Sequence, residues 1–206
     1  SLKTRPKADH DHDWEGKPKS ASEDVIINRD WVRAARFASK KEGFVKSGIK
    51  KVAYDPAGQG RDSNAVVCAD GNVITTIDEW VKSDDLRQAS YRAYEHSISF
   101  DADVFIYDTC GGLGDGVSVF IDDKRDVVID EINETEANSV EEVQQVEYLV
   151  GREKTRNIFA FDAGSGVVNP DDEISGTGKT WKERCANAKA QAHMIAAQKL
   201  YNTYRF

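Results

Sequence analysis

Two short apolar runs in this sequence each end abruptly on a carboxylate. One is Lys50-Lys51-Val52-Ala53-Tyr54-Asp55, followed by Pro56-Ala57-Gly58-Gln59-Gly60. The other is Ala102-Asp103-Val104-Phe105-Ile106-Tyr107-Asp108, followed by Thr109-Cys110-Gly111-Gly112-Leu113-Gly114. A lone Asp in such a place is accounted for by turn chemistry, because its side chain bonds nearby backbone amides. A pair of them, after runs of like length and before Gly-rich exits that admit a ligand, also outlines a metal site. Parallel neighbouring strands lie about 4.8 Å apart, so matching tips bring Asp55 and Asp108 to one hard cation. Oxygen ligands of this kind favour Mg²⁺ or Mn²⁺ over zinc.

The elements that must position the pair are legible in the same way. Val52, Tyr54, Val104, Phe105, Ile106 and Tyr107 are β-branched or aromatic and are closed off by Pro and Gly, so both runs read as strands. Residues 65–69 and 72–78 are two further strand-like runs around Asp70-Gly71, a strong hairpin signal. Strands one to three therefore form an antiparallel meander. Asp84 and Asp85 open a helix carrying Leu86, Ala89, Ala93, Tyr94 and Ile98 on its apolar face. That helix is the crossover a parallel strand needs, and it sets the Asp108 strand beside the Asp55 strand. Residues 156–161 form a fifth strand with Asp162 at its tip. The expected fold is α/β, a five-stranded mixed sheet of order 3-2-1-4-5 with helices on both faces, and ligands bind such sheets at the carboxyl ends of parallel strands.

Elsewhere the pattern predicts helices from Leu113 to Ile121, around Ser139 to Val150, and from about Trp181, the last with Ala186, Ala190, Met194, Ala197, Tyr201 and Tyr204 along its apolar face. A polar Gly-rich loop leads up to Lys179. Val25-Ile26-Ile27 reads as a short strand, and Asp30 as the N-cap of a helix with Trp31, Val32, Ala35 and Phe37 that ends at Gly43. Residues 1–23 are polar and aperiodic, an arm in which Asp9-His10-Asp11-His12-Asp13 reads as a solvated tract. The expected division is 1–48, an arm or linker with a short helix, and 49–206, the domain that carries the carboxylates.

The 206 residues, 39% hydrophobic and 31% charged, suffice for one good core. No apolar run reaches the roughly 18 residues of a membrane span, and no secretory signal opens the sequence. Three scattered cysteines fit reduced thiols, and the expected compartment is the cytoplasm. The net charge of −8 argues against a polyanion as partner until its distribution is read. Residues 179–206 hold six basic residues and one acid, whereas 122–153 hold eleven acids and three basic residues.

Several patterns fall short of the chemistry they suggest. Gly176-Thr177-Gly178-Lys179-Thr180 lacks the first glycine of a phosphate-binding loop, since Glu173 stands there. Gly112-Leu113-Gly114 lacks the third glycine of a dinucleotide fingerprint, which is Val117. Gly164-Ser165-Gly166 is not a nucleophile elbow. His96 and His193 each lack a second metal ligand at useful spacing and read as ordinary histidines.

Strand order and Asp placement resemble the ribonuclease H-like fold, and more narrowly the C-terminal nuclease domain of tailed-phage terminase large subunits. The resemblance rests on Ala53-Tyr54-Asp55-Pro56-Ala57-Gly58-Gln59-Gly60-Arg61-Asp62-Ser63 and on Ile106-Tyr107-Asp108-Thr109-Cys110-Gly111-Gly112-Leu113-Gly114-Asp115-Gly116. Phe161-Asp162-Ala163-Gly164, with Asn187-Ala188-Lys189-Ala190-Gln191-Ala192 later, resembles the approach to the family's late helix. Residues 24–32 resemble the linker after its ATPase motor. The resemblance implies that Asp55 and Asp108 are catalytic, metal-binding carboxylates of an endonuclease that cuts double-stranded viral DNA during packaging. It implies two Mg²⁺ or Mn²⁺ ions about 3.5–4 Å apart, with Asp55 as the bridge and Asp108 as a flanking ligand.

On this reading Asp62, Asp115 and Asp162 support the ligands, and Lys179, Lys182, Arg184 and Lys189 meet DNA phosphates. Asp162, two strands from Asp55, stands about 9.6 Å away by strand spacing. The implied partners are DNA, an ATPase motor upstream in the same polypeptide, the portal and the small terminase subunit, in the cytoplasm of an infected bacterium. The family has a third catalytic acid beyond the late helix, which the sequence to Phe206 does not contain; weak metal binding and slow cutting are expected of these residues alone. Two rivals stay open: another nuclease of this fold, such as a junction resolvase, and a catalytically silent docking module that uses residues 122–153 as its contact surface.

Overall fold

The computed structural model of the chain describes residues 25–38, 46–57, 62–81, 85–109 and 113–205. The expected N-terminal arm with its His-Asp tract, Gly43, the 58–61 turn, Asp84 and residues 110–112 lie outside the described residues. The chain forms two compact units, Lys46–Ala163 and Ser1–Val45 with Gly164–Phe206.

In the first unit β1 (Lys50–Asp55), β2 (Asn64–Asp70) and β3 (Val73–Trp80) form the expected meander. The β2–β3 hairpin turns at Gly71, whose φ is +58°; a Cβ there would sit 2.1 Å from the Ser47 carbonyl oxygen, so only glycine fits. Helix α2 (Leu86–Ser99) follows, capped by Asp85, whose carboxylate accepts from the amides of Arg87 and Gln88. It leads to β4 (Val104–Asp108), parallel to β1. Helices α3 (Gly114–Asn133) and α4 (Val140–Thr155) then carry the chain to β5 (Asn157–Phe161), parallel to β4. The strand order is β3-β2-β1-β4-β5. The fold is the mixed five-stranded sheet with helices on both sides that the sequence predicts.

Alternation along the strands selects the core. Val52, Tyr54, Val66, Cys68, Phe105 and Tyr107 bury one sheet face against Ala93 and Tyr94 of α2 and Val117 and Ile121 of α3. Tyr94 meets Phe105 edge to face, 5.5 Å between ring centres. Each large side chain buried in this way contributes about 1.5–3 kcal/mol.

Charged groups lock the amino-terminal ends of the parallel strands. Arg152 at the end of α4 donates to Asp101 (2.8 Å) and Asp103 (2.7 Å), and Asp103 also accepts from the Lys50 amide (2.8 Å). The Arg152 hydrogen bonds hold both carboxyls below the usual range. Beneath them, buried Arg156 pairs with Glu153 and donates to the Ala102 carbonyl at 2.9 Å, while the Tyr94 hydroxyl donates to Glu153 at 3.1 Å.

In the second unit α1 (Arg29–Ala38) and the late helix meet through Trp31 and Tyr201, whose rings lie 5.1 Å apart. Val25-Ile26-Ile27 is not a strand but an irregular bend. The cap of α1 is Asn28 rather than Asp30, since Asn28 accepts from the Asp30 amide at 2.8 Å. The loop expected before Lys179 contains a small hairpin, β6 (Glu173–Ile174) with β7 (Lys179–Thr180). The late helix is two helices, α5 (Trp181–Arg184) and α6 (Ala188–Tyr204). Asn187 breaks it by accepting from the Ala190 amide at 2.9 Å, a capping bond that competes with helix continuation. In the first unit α3, whose start was expected within Leu113 to Ile121, runs on to Asn133.

Candidate metal centre at the strand tips

Register brings the two carboxylates together. Tyr54 and Tyr107 are Cα partners across β1 and β4, and Asp55 and Asp108 are the next residues of each strand and also the last. Both tyrosines are buried, so alternation turns both aspartates to the opposite face. Asp55 is exposed and Asp108 half-buried. The pair stands at the carboxyl ends of adjacent parallel strands, the end that the Arg152 and Arg156 contacts leave alone.

Each tip is held from behind. On the Asp55 side, the Oδ1 of buried Asn64 accepts from the Tyr54 hydroxyl (3.0 Å) and the Ala57 amide (3.0 Å). Tyr54 stacks on Trp80, 6.2 Å between ring centres with the planes 3° apart. Burial pushes the Tyr54 phenol up to about 12, and the Asp55 charge acts in the same direction. On the Asp108 side, the Thr109 amide and hydroxyl both donate to the Phe161 carbonyl, at 3.0 and 3.2 Å. Helix α3 starts directly against this exit: a Cβ on Gly114 would lie 2.7 Å from the Thr109 Cβ and 3.1 Å from its Cα. Glycine permits that approach, which brings the positive end of a helix dipole to the β4 tip.

Asp162 follows Phe161, the Cα partner of Asp108, and is exposed one position beyond the pair. Asp62, before β2, and Asp115, in the first turn of α3, are also exposed. Lys179, Lys182, Arg184 and Lys189 are exposed residues of the other unit. Lys182 is paired with Asp171, whose hydrogen bond holds the ammonium pKa above its usual value. Among the described residues no group of three or more His, Cys, Asp or Glu side chains gathers as a metal cage. The donor set is thus two carboxylates, suited to a hard cation that keeps most of its water.

Asn64 is the residue that sequence reasoning passes over. It reads as turn punctuation after Asp62 and Ser63, yet the period of two through Val66 and Cys68 points it inward, and it is 1% exposed.

No family model and no curated protein sequence matches the chain. Among solved structures it is similar to the nuclease domain of the large terminase subunit gp2 of bacterial virus Sf6, with a TM-score of 0.68 and 23% identity over 88% of this chain. A mutant of that domain with manganese and beta-thujaplicinol gives a TM-score of 0.67 at 23% identity, and a mutant with calcium 0.64 at 22%. In each case 66% of the other chain is covered. The likeness is one of fold: this chain has the mixed five-stranded sheet fold of the Sf6 terminase nuclease domain.

Proposed function

We propose that the chain is the nuclease part of a viral genome-packaging terminase, a metal-dependent endonuclease acting on double-stranded DNA. The observation that carries the reading is the in-register pair Asp55 and Asp108 at the carboxyl edge of adjacent parallel strands. The similar Sf6 domain has structures with manganese and with calcium, which supports divalent-metal use by this chain. Asp55 and Asp108 would hold the metal, Mg²⁺ or Mn²⁺, which when bound would supply an activated water and neutralise charge building on the phosphate oxygens. The protein's part is to hold two ligands at fixed separation and to keep the sheet edge open to a DNA backbone. Asp62, Asp115 and Asp162 add negative charge around the ions without binding them directly.

On this reading Lys179, Lys182, Arg184 and Lys189 contact phosphates, and the working context is an infected bacterial cytoplasm. There the chain would act with an ATPase motor in the same polypeptide, the portal and the small terminase subunit. The test is nicking of supercoiled plasmid with Mg²⁺, Mn²⁺ or chelator. Cleavage that needs the metal, is stronger with Mn²⁺, and is lost in both Asp55→Asn and Asp108→Asn supports the reading. Retained cleavage in either variant removes that residue from the site, and a wild type that neither nicks DNA nor binds Mn²⁺ in a calorimetric titration sinks the assignment.

A further inference from the structure

We infer that Asn64 is a positioning residue for Asp55, setting the carboxylate through the Tyr54 side chain before it and the Ala57 amide after it; the inference rests on the metal-site reading above. The ladder to β2 ends at the pair Asp55 and Ala65, and the chain leaves the sheet there. Pro56 has no N–H. The first backbone donor past the carboxylate is therefore the Ala57 amide, and Asn64 accepts it at 3.0 Å. The same oxygen accepts from the hydroxyl of Tyr54, immediately before Asp55, at 3.0 Å.

One buried acceptor thus spans the residues on either side of the ligand. Asn64 is itself well anchored: it is the Cα partner of Trp80, whose ring stacks on Tyr54. A charged acceptor would do the same geometric work at the cost of a buried charge, which separates positioning from stability and makes the role testable.

The experiment compares the full chain with Asn64→Leu, Asn64→Asp and the control Asp55→Asn. Asn64→Leu keeps the branched shape, though it is bulkier, and removes the acceptor; Asn64→Asp keeps the acceptor. Mn²⁺ affinity is measured by calorimetry, beside melting temperature and hydrogen exchange at the Ala57 amide. Asn64→Leu should weaken Mn²⁺ binding about ten- to a hundredfold, as loss of a ligand-orienting partner does, and should speed exchange at Ala57. Asn64→Asp should restore most of the affinity while melting lower than wild type. Asn64→Ala replaces the leucine variant if the latter does not fold. Wild-type affinity without the acceptor, or affinity that tracks melting temperature across the variants, overturns the role of Asn64. If instead Mn²⁺ binding is unchanged in Asp55→Asn, the metal-site reading itself fails, and the Ala57 exchange data still report whether the clamp exists.

Discussion

At the scale of single residues, the strand tips and the core tyrosines respond to charge in opposite ways. Asp55 and Asp108 crowd two like charges onto one edge, so neutralising either should leave the melting temperature level or slightly raised while cleavage is lost, because repulsion between carboxylates is relieved. Tyr54 and Tyr94 carry the opposite dependence. Burial pushes both phenols up to about 12 from an ordinary 10. Between those values the unfolded chain has released a proton that the folded chain keeps, so stability is intact below pH 10 and falls as pH rises toward 12. The slope reaches about 1.4 kcal/mol per pH unit for each tyrosine. Thermal melts across that window, with tyrosinate absorbance followed in parallel, should show both phenols ionising together with unfolding. Tyr94→Phe should flatten the slope. Phenols that titrate near pH 10 in a still-folded protein would contradict this.

At the scale of elements, charged groups secure the sheet at the amino-terminal ends of β4 and β5, away from the proposed site. Arg156 and Glu153 are almost fully buried as a pair at the junction of α4 and β5. Arg156→Met strands the Glu153 charge and should cost about 3–5 kcal/mol, measured by denaturant unfolding. Adding Glu153→Leu should recover most of that loss. Tyr94→Phe on top removes the hydroxyl left without its Glu153 acceptor and should recover more; a double variant as unstable as the single would mean that the pair stabilises outright.

The carboxylate end was legible in the sequence because apolar runs that stop at Asp, Pro and Gly are visible one strand at a time, and one crossover helix then sets the register. The locked end was not. Arg152 and Arg156 at the end of a charged helix look like a solvated face until β4 and β5 lie beneath them. Gly114 was hidden for a related reason: its closeness to Thr109 is a contact between elements. The break at Asn187 was masked by an apolar period that runs through Ala186 and Ala190 regardless of the cap.

At the scale of the whole molecule, a net charge of −8 must be weighed against the proposed polyanionic substrate through the distribution of charge. Residues 126–151 contain eight acids and no basic residue, whereas 179–206 contain six basic residues and one acid. Phosphate contacts dominate affinity for DNA and carry little sequence information, so binding should be weak, salt-sensitive and indifferent to base sequence. The basic residues are not equivalent. Lys182 already shares its charge with Asp171, so Arg184→Glu should weaken binding more than Lys182→Glu does. The double variant should also flatten the plot of log affinity against log salt, by about 0.9 for each phosphate that is no longer neutralised. Glu141→Gln with Glu147→Gln serves as the control, because neutralising exposed acids on α4 leaves every phosphate partner in place and should not change that slope. The measurement is a fluorescence-anisotropy titration of labelled duplex at several salt concentrations. An unchanged slope in Lys182→Glu with Arg184→Glu would show that DNA approaches by another surface, and a slope altered by the α4 control would place that surface on the acidic helix.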